Sequence, residues 1–163
     1  MNLLYIHGLD SSPRPDKVAV LQDIADNVWA PQLNYRENPD TFAYLLEGAK
    51  KREINYIVGS SAGGFMGYWL APHLQCKALL FNPALAFQSI IQQIVTLTTV
   101  TSFQPFYSII LGGQDEVIPP QTTLDFLMKH NSPTQYYIDH INSLGHQIDM
   151  PTYEYACYKY IVK

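Results

Sequence analysis

Residues 59–64 form a glycine-rich turn with a serine near its centre, Gly59-Ser60-Ser61-Ala62-Gly63-Gly64. An apolar run, residues 54–58, precedes the turn, and a segment of helical character, residues 65–70, follows it. Glycines on both sides of the serine let a strand and a helix approach closely, while the tight turn holds Ser61 in a strained backbone conformation. The stretch predicts a strand, a sharp turn and a helix, with the Ser61 hydroxyl at the carboxyl end of the strand. The motif by itself does not exclude an ordinary glycine- and serine-rich turn.

Strand-like and helix-like segments alternate along the whole chain. Short runs rich in apolar residues predict strands at residues 3–6, 28–31, 54–58, 76–81, 106–111 and 134–138. Helical spacing predicts helices at residues 16–25, 39–49, 65–72, 85–95, 119–128 and 151–161. Most of the strand runs are continuously apolar, which is typical of a parallel sheet covered on both faces. We therefore expect one α/β domain over residues 1–163, with a doubly wound, mostly parallel sheet of about six strands.

The charge and cysteine content narrow the class of protein. The net charge of −4, with no long basic run, argues against a nucleic-acid or anionic-membrane surface. Cys76 and Cys157 have no metal-ligand spacing, so buried free thiols in a reducing compartment are expected. The apolar start of the chain lacks the basic residues of a signal peptide, and no apolar run approaches the roughly 20 residues of a membrane span. We expect a soluble cytoplasmic protein.

A serine hydroxyl becomes a good nucleophile only when a base takes its proton and an acid orients that base. Asp115 follows the fifth predicted strand and His146 follows the sixth. Loops at the carboxyl ends of parallel strands share one rim of the sheet, so these side chains can meet Ser61. The order Ser61, Asp115, His146 is the serine–acid–histidine order of α/β-hydrolases.

Two other residues, Glu116 and His140, compete for the roles of acid and base. Glu116 adjoins Asp115, but adjacent side chains usually point in different directions. His140 lies at the end of the sixth predicted strand, whereas His146 lies deeper in the following loop, after a glycine. We favour Asp115 as the acid and His146 as the base, with Glu116 and His140 as the alternatives.

Two backbone N–H groups are needed to stabilise an oxyanion. One is expected from Ala62, directly after the nucleophile, and the other from Leu9, in the loop after the first strand. His7 in that loop has two interpretations: it orders the loop through hydrogen bonds, which we prefer, or it contacts substrate. Asp10 either discourages anionic substrates or caps the loop.

Five short segments, spread in order over nearly the whole chain, resemble the small bacterial YqiA-like esterases of the α/β-hydrolase superfamily. They are residues 7–13, 31–33, 59–64, 82–84 and 113–117. The resemblance implies Ser61 as nucleophile, Asp115 as acid and His146 as base. The chain departs from the family at Leu9-Asp10, where relatives tend to carry an aromatic residue and an asparagine, and at the base loop, Ser143-Leu144-Gly145-His146, which is not of the Gly-Gly-Asn-His type. These departures bear on the substrate more than on the triad.

The expected chemistry is acyl transfer from a small-molecule carboxylic ester or thioester to water, which needs no metal or organic cofactor. The stretch between Asn82 and Phe106 is short and leaves little room for a cap domain, so short to medium acyl groups are expected. The threonine-rich residues 96–101 fit a frayed helix end, a loop or a short flap. An amidase or peptidase of the same fold and a catalytically silent binding module are the alternative functions.

Overall fold

A computed structural model of the chain describes residues 1–87, 103–130 and 135–162. It contains six strands: β1 (Asn2–Ile6), β2 (Asn27–Trp29), β3 (Tyr56–Ser60), β4 (Lys77–Phe81), β5 (Phe106–Gly112) and β6 (Gln135–Ile141). They form one sheet in the order β2-β1-β3-β4-β5-β6, and each neighbouring pair is parallel. The predicted parallel sheet of about six strands is confirmed.

Five helices cover both faces of this sheet: α1 (Pro15–Gln22), α2 (Thr41–Lys51), α3 (Ala62–Leu74), α4 (Pro120–Lys129) and α5 (Met150–Ile161). Helices α2, α3 and α4 pack on one face against side chains such as Leu4 and Ile6. Helices α1 and α5 pack on the other face against Leu3 and Tyr5. Successive strand residues thus point to opposite faces, and both faces are buried. Among the described residues there is no cap domain.

Helix α3 does not stop near Pro72, as the sequence predicts, but includes it and ends at Leu74. Proline has no N–H, so the carbonyl of Tyr68, four residues earlier, cannot receive the usual helical hydrogen bond. The Tyr107 hydroxyl donates to that carbonyl instead, at 2.6 Å. A contact from a strand of the sheet thereby satisfies the acceptor that the proline leaves open.

Other boundaries also differ from the sequence prediction. Strand β3 starts two residues later than expected and continues through Ser60, while α1 ends at Gln22. Strand β6 stays paired with β5 as far as the Gly112–Ile141 position, so His140 lies within the strand and not at its end. Residues 85–87 include a turn rather than the start of the helix predicted for 85–95. The remainder of that helix and residues 96–101 lie outside the described residues.

Both cysteines are buried free thiols, as predicted. They lie on opposite faces of the sheet, Cys76 in one core cluster and Cys157 in the other. Of the helices in the described residues, none combines the length and the apolar character that crossing a bilayer requires.

Candidate active site

Ser61 lies on a sharp turn between β3 and α3, with a backbone φ of 54° and ψ of −116°. A positive φ is uncommon for a residue with a β-carbon and is maintained only where the surroundings enforce it. Here the Ser61 N–H donates to the Phe81 carbonyl at 2.9 Å, and the Ser61 carbonyl accepts from Phe65 N–H at 3.0 Å and Ala84 N–H at 3.1 Å. Hydrogen bonds from the next strand and from the following helix therefore hold the turn.

Two glycines make this turn sterically possible. A β-carbon on Gly59 would lie 2.4 Å from the Gly63 carbonyl oxygen, and one on Gly63 would lie 2.1 Å from the Ile6 carbonyl oxygen. Both distances are far below van der Waals contact. The start of α3 therefore packs directly on the backbones of β3 and β1, as the flanking glycines of the motif predict.

His146 and Asp115 form a direct hydrogen bond. The His146 Nδ1–H donates to Asp115 Oδ2 at 2.8 Å. The Asp115 residue is only 3% exposed, whereas His146 is partly buried. This contact fixes the imidazole orientation and leaves Nε2 as its proton acceptor, which is the arrangement a general base requires.

Backbone hydrogen bonds within the β5–α4 loop orient the Asp115 carboxylate. Its other oxygen, Oδ1, accepts from Val117 N–H at 2.9 Å and Ile118 N–H at 2.8 Å. The loop is in turn tied to the loop after β6, because Gln114 N–H donates to the Leu144 carbonyl at 2.9 Å. Asp115 and His146 therefore lie on two loops that are hydrogen-bonded to each other.

Asn82, to which the sequence pattern assigned no role, connects the loops that follow three neighbouring strands. It is 2% exposed, with a φ of 41°. Its Oδ1 accepts from Gly112 N–H at 2.7 Å, and its Nδ2 donates to the carbonyls of Gly145 at 3.0 Å and His146 at 3.1 Å. The signal in the sequence was an asparagine directly after the fourth strand, a residue type that tolerates a positive φ.

The two competing residues lie elsewhere. Glu116 is exposed, next to the buried Asp115. His140 is exposed on β6, where it pairs in register with Leu111. Among the described residues, neither side chain hydrogen-bonds to Asp115 or His146.

The loop after β1 lies alongside the turn that carries Ser61. A β-carbon on Gly8 would lie 3.4 Å from Ser61 Cβ and 3.9 Å from Ser61 Oγ. The next residue, Leu9, carries one of the two backbone N–H groups expected to stabilise the oxyanion. The other expected donor, the Ala62 N–H, belongs to the first residue of α3, where N–H groups have no partner within the helix. Both donors are thus on segments that flank Ser61.

His7 is 1% exposed, and both of its ring nitrogens are engaged within this part of the chain. Nε2 accepts from Leu33 N–H at 2.9 Å, so Nδ1 carries the proton and donates to the Gly8 carbonyl at 2.8 Å. The His7 carbonyl accepts from the Tyr35 hydroxyl at 2.6 Å. Burial lowers the pKa of His7, and the bond to Gly8 partly opposes that shift. A neutral His7 therefore anchors the loop onto the segment after β2.

Asp10 is exposed and adopts a φ of 53°. Arg36 donates to its two carboxylate oxygens, from Nε at 2.7 Å and from Nη2 at 2.5 Å. The hydrogen bonds from Arg36 lower the pKa of Asp10. The negative charge is thus compensated at the mouth of the site, and the pair links the same two loops that His7 joins.

A cavity of about 280 Å³ brings these loops together. Ser61 and His146 lie in its wall, and the other lining residues, which include several polar side chains, are Tyr5, Gly8, Leu9, Asp10, Ser11, Arg14, Lys17, Ser60, Gln147 and Ile148. No cluster of three or more histidine, cysteine or carboxylate side chains that could hold a metal occurs in the described parts of the chain. The cavity can accept a small molecule beside the Ser61 hydroxyl.

A parallel sheet with a serine on the turn after a central strand, and an acid and a histidine on the loops after later strands, defines the α/β-hydrolase fold. Within that class the chain belongs to the uncharacterised protein family UPF0227, the YqiA-like family, whose sequence model matches residues 2–110. The resemblance noted from the five short segments is confirmed at the level of the family.

Solved structures of the same fold align over almost the whole chain. Mouse alpha/beta hydrolase domain-containing protein 10 superposes with a TM-score of 0.72 at 13% identity, covering 97% of this chain and 87% of that one. The Paleococcus ferrophilus monoacylglycerol lipase superposes with a TM-score of 0.68 at 12% identity, covering 98% of this chain and 93% of that one. The Bacillus cereus carboxylesterase superposes with a TM-score of 0.62 at 16% identity, covering 98% of this chain and 86% of that one. At these identities the likeness concerns the fold.

Proposed function

We propose that the protein is a serine hydrolase that cleaves carboxylic esters or thioesters through an acyl-enzyme on Ser61. The observation that carries the proposal is the hydrogen bond between His146 and Asp115, in a cavity whose wall also contains Ser61 on its strained turn. A binding module has no need for this set of groups. The shared fold of the similar carboxylesterase and lipase structures is consistent with a hydrolase.

In the proposed reaction, His146 Nε2 takes the proton of Ser61 as the hydroxyl oxygen attacks the substrate carbonyl. The N–H groups of Ala62 and Leu9 stabilise the oxyanion of the tetrahedral intermediate. The imidazolium then protonates the departing alcohol or thiol, leaving an acyl-enzyme. His146 next activates a water molecule, which releases the acid and regenerates the Ser61 hydroxyl. Asp115 keeps the imidazole oriented and stabilises its positive charge in both steps.

The size of the cavity favours short to medium acyl groups. At about 280 Å³ it is near the lower end of the range for small-molecule sites, which begins at roughly 300 Å³. We expect kcat/KM for a series of 4-nitrophenyl esters to peak at short or medium chains. A rate that climbs steadily to long chains would contradict this.

The direct test of the nucleophile is intact-protein mass after treatment with a fluorophosphonate, together with hydrolysis of a 4-nitrophenyl ester series. We expect one adduct on the wild type and none on Ser61→Ala, with kcat lower by roughly 10⁴- to 10⁶-fold. Ser12→Ala, which changes an exposed serine of the β1–α1 loop, is the matched control and should keep the adduct and the rate. Near-wild-type turnover by Ser61→Ala would refute the assignment. A folded protein with no adduct and no turnover would favour a silent binding module, and adducts with amide turnover alone would indicate an amidase.

The general base is tested by two histidine variants. His146→Ala should lose most of the ester hydrolysis, because it removes both the proton acceptor and the partner of Asp115. His140→Ala should stay near wild type, since that side chain is exposed on β6. The opposite ranking would assign the base to His140.

A further inference from the structure

Lys17 is a buried lysine in the wall of the candidate active-site cavity. It lies in the first turn of α1 and is only 7% exposed. The cavity it lines also contains Ser61 and His146. A positive charge is therefore present within the small space where the proposed reaction occurs.

The Lys17 ammonium has no anionic partner among the described residues: it forms no ion pair there and donates no hydrogen bond. Its side-chain contact is with the face of the Tyr153 ring, where Nζ lies 4.9 Å from the centroid. Burial lowers the pKa of Lys17, and the positive charge of Arg14 acts in the same direction, while the negative charges of Asp16 and Asp149 partly oppose the shift. A buried ammonium is costly unless it is paired, so an arriving anion would be strongly favoured at this position.

The nearby carboxylates are already engaged with other groups. Asp16 binds the Arg14 guanidinium, and Asp10 binds Arg36. Asp149, the residue that caps α5, accepts from the Thr152 N–H at 2.8 Å and from its hydroxyl at 3.0 Å. Each of these carboxylates is therefore hydrogen-bonded to groups other than Lys17, and none of them forms a direct ion pair with its ammonium.

We propose that Lys17 binds an anionic group of the substrate, so that the preferred substrates are esters or thioesters carrying a carboxylate or a comparable anion. This inference rests on the proposed hydrolase function and specifies its substrate class. The anion belongs either to the acyl part or to the leaving group of the substrate. The chemistry of recognition is the same in both cases, and matched substrates separate them.

The experiment compares kcat/KM for two pairs of esters, with the uncatalysed rate subtracted. On the acyl side, 4-nitrophenyl hydrogen glutarate is compared with 4-nitrophenyl pentanoate. On the leaving-group side, 3-carboxyphenyl acetate is compared with its neutral methyl ester. We expect the wild type to prefer the anionic member of one pair. A hydrogen bond to a charged group contributes about 1.5–3 kcal/mol, so Lys17→Met should reduce that preference by about 10- to 100-fold.

The readout is the ratio of kcat/KM for the anionic ester to kcat/KM for its neutral partner, measured within each variant, so a general loss of activity in Lys17→Met cancels. Lys129→Met, which removes an exposed lysine at the end of α4, is the matched control and should retain the preference. Thermal unfolding followed by circular dichroism checks that the variants are folded. If Lys17→Met does not fold, Lys17→Gln replaces it.

The outcomes distinguish this inference from the proposed function. A fluorophosphonate adduct on Ser61 and turnover of neutral esters, with no anionic preference in the wild type, would overturn the role of Lys17 and leave the hydrolase intact. An anionic preference that Lys17→Met leaves unchanged would also overturn it. If no ester is turned over, the hydrolase proposal fails, and calorimetric titration with glutarate decides: binding that Lys17→Met weakens supports the anion site, and no binding refutes it.

Discussion

Asn82 offers a sharp test of how the site is held together, and Asn82→Asp is the most informative change. Aspartate has the same shape, tolerates the same positive φ and keeps the oxygen that accepts from Gly112 N–H. It replaces the amide donor by a second oxygen, which would face the carbonyls of Gly145 and His146 at about 3 Å. The substitution therefore removes two donated hydrogen bonds and leaves the accepted one.

The two lost bonds cost about 2 kcal/mol at about 1 kcal/mol each, and the buried carboxylate against two carbonyl oxygens adds about 1–3 kcal/mol. We expect Asn82→Asp to lower the free energy of unfolding by about 3–5 kcal/mol at neutral pH. Because repulsion by the two carbonyls disfavours the charged form, the pKa of the introduced carboxyl should be higher in the folded than in the unfolded variant. The deficit should therefore grow as pH rises through that pKa and shrink on acidification, since the neutral acid can donate one bond.

The assay is urea unfolding of wild type and variant between acidic and neutral pH, together with ester hydrolysis. Turnover should fall in the fraction that remains folded, because the two carbonyls belong to the loop that holds His146. Asn55→Asp is the control: this exposed asparagine also accepts a backbone N–H, from Asn2 at 3.0 Å, and the change should cost less than about 0.5 kcal/mol. Equal stabilities of the two variants, or a deficit that does not depend on pH, would refute the reasoning.

Two further predictions concern the β1 loop and the nucleophile turn. Burial lowers the pKa of His7, so the unfolded chain binds the proton more readily. The contribution of His7 to stability should be full above about pH 6.5 and decline as the pH falls below that value. Urea midpoints for His7→Gln should therefore depend less on acid pH than those of the wild type. Gly63→Ala should destabilise by at least about 3 kcal/mol, because its β-carbon would lie 2.1 Å from a carbonyl oxygen of the first strand. Gly145→Ala, whose nearest neighbouring atom would be 3.9 Å away, should be close to neutral in the same denaturation assay, and similar losses in both variants would contradict the packing argument.

Patterns that depend on neighbouring residues were predictable from the sequence. Continuous apolar runs indicated the strands. The glycines around Ser61 indicated a tight turn, because they allow the backbones of the strand and the helix to pack closely. The placement of Asp115 and His146 after successive strands was sufficient to expect them on one rim of a parallel sheet. In the structure, His146 Nδ1 and Asp115 Oδ2 lie 2.8 Å apart, as expected for side chains on one rim.

Features that depend on distant parts of the chain were not predictable. Pro72 stays inside α3 because Tyr107, on another strand, supplies a hydroxyl to the open carbonyl. Asn82 joins loops that are 30 and 63 residues away along the chain. Lys17 lies in a polar stretch at the start of α1, and its burial, with Nζ over the ring of Tyr153 in α5, could not be read from neighbouring residues.

Ser61, the proposed nucleophile, and His146, the proposed base, follow strands of the sheet that should differ in how easily they open. Ser61 follows β3, which has β1 on one side and β4 on the other, whereas His146 follows β6, the last strand in the order. Amide hydrogen exchange at Ser61 should require unfolding of the whole sheet, while the segment with His146 can exchange through a smaller opening at the sheet edge. The proposed catalysis would then be lost before the fold is lost. A variant with weak activity can therefore keep an intact core while the β6 edge of its sheet is locally unfolded.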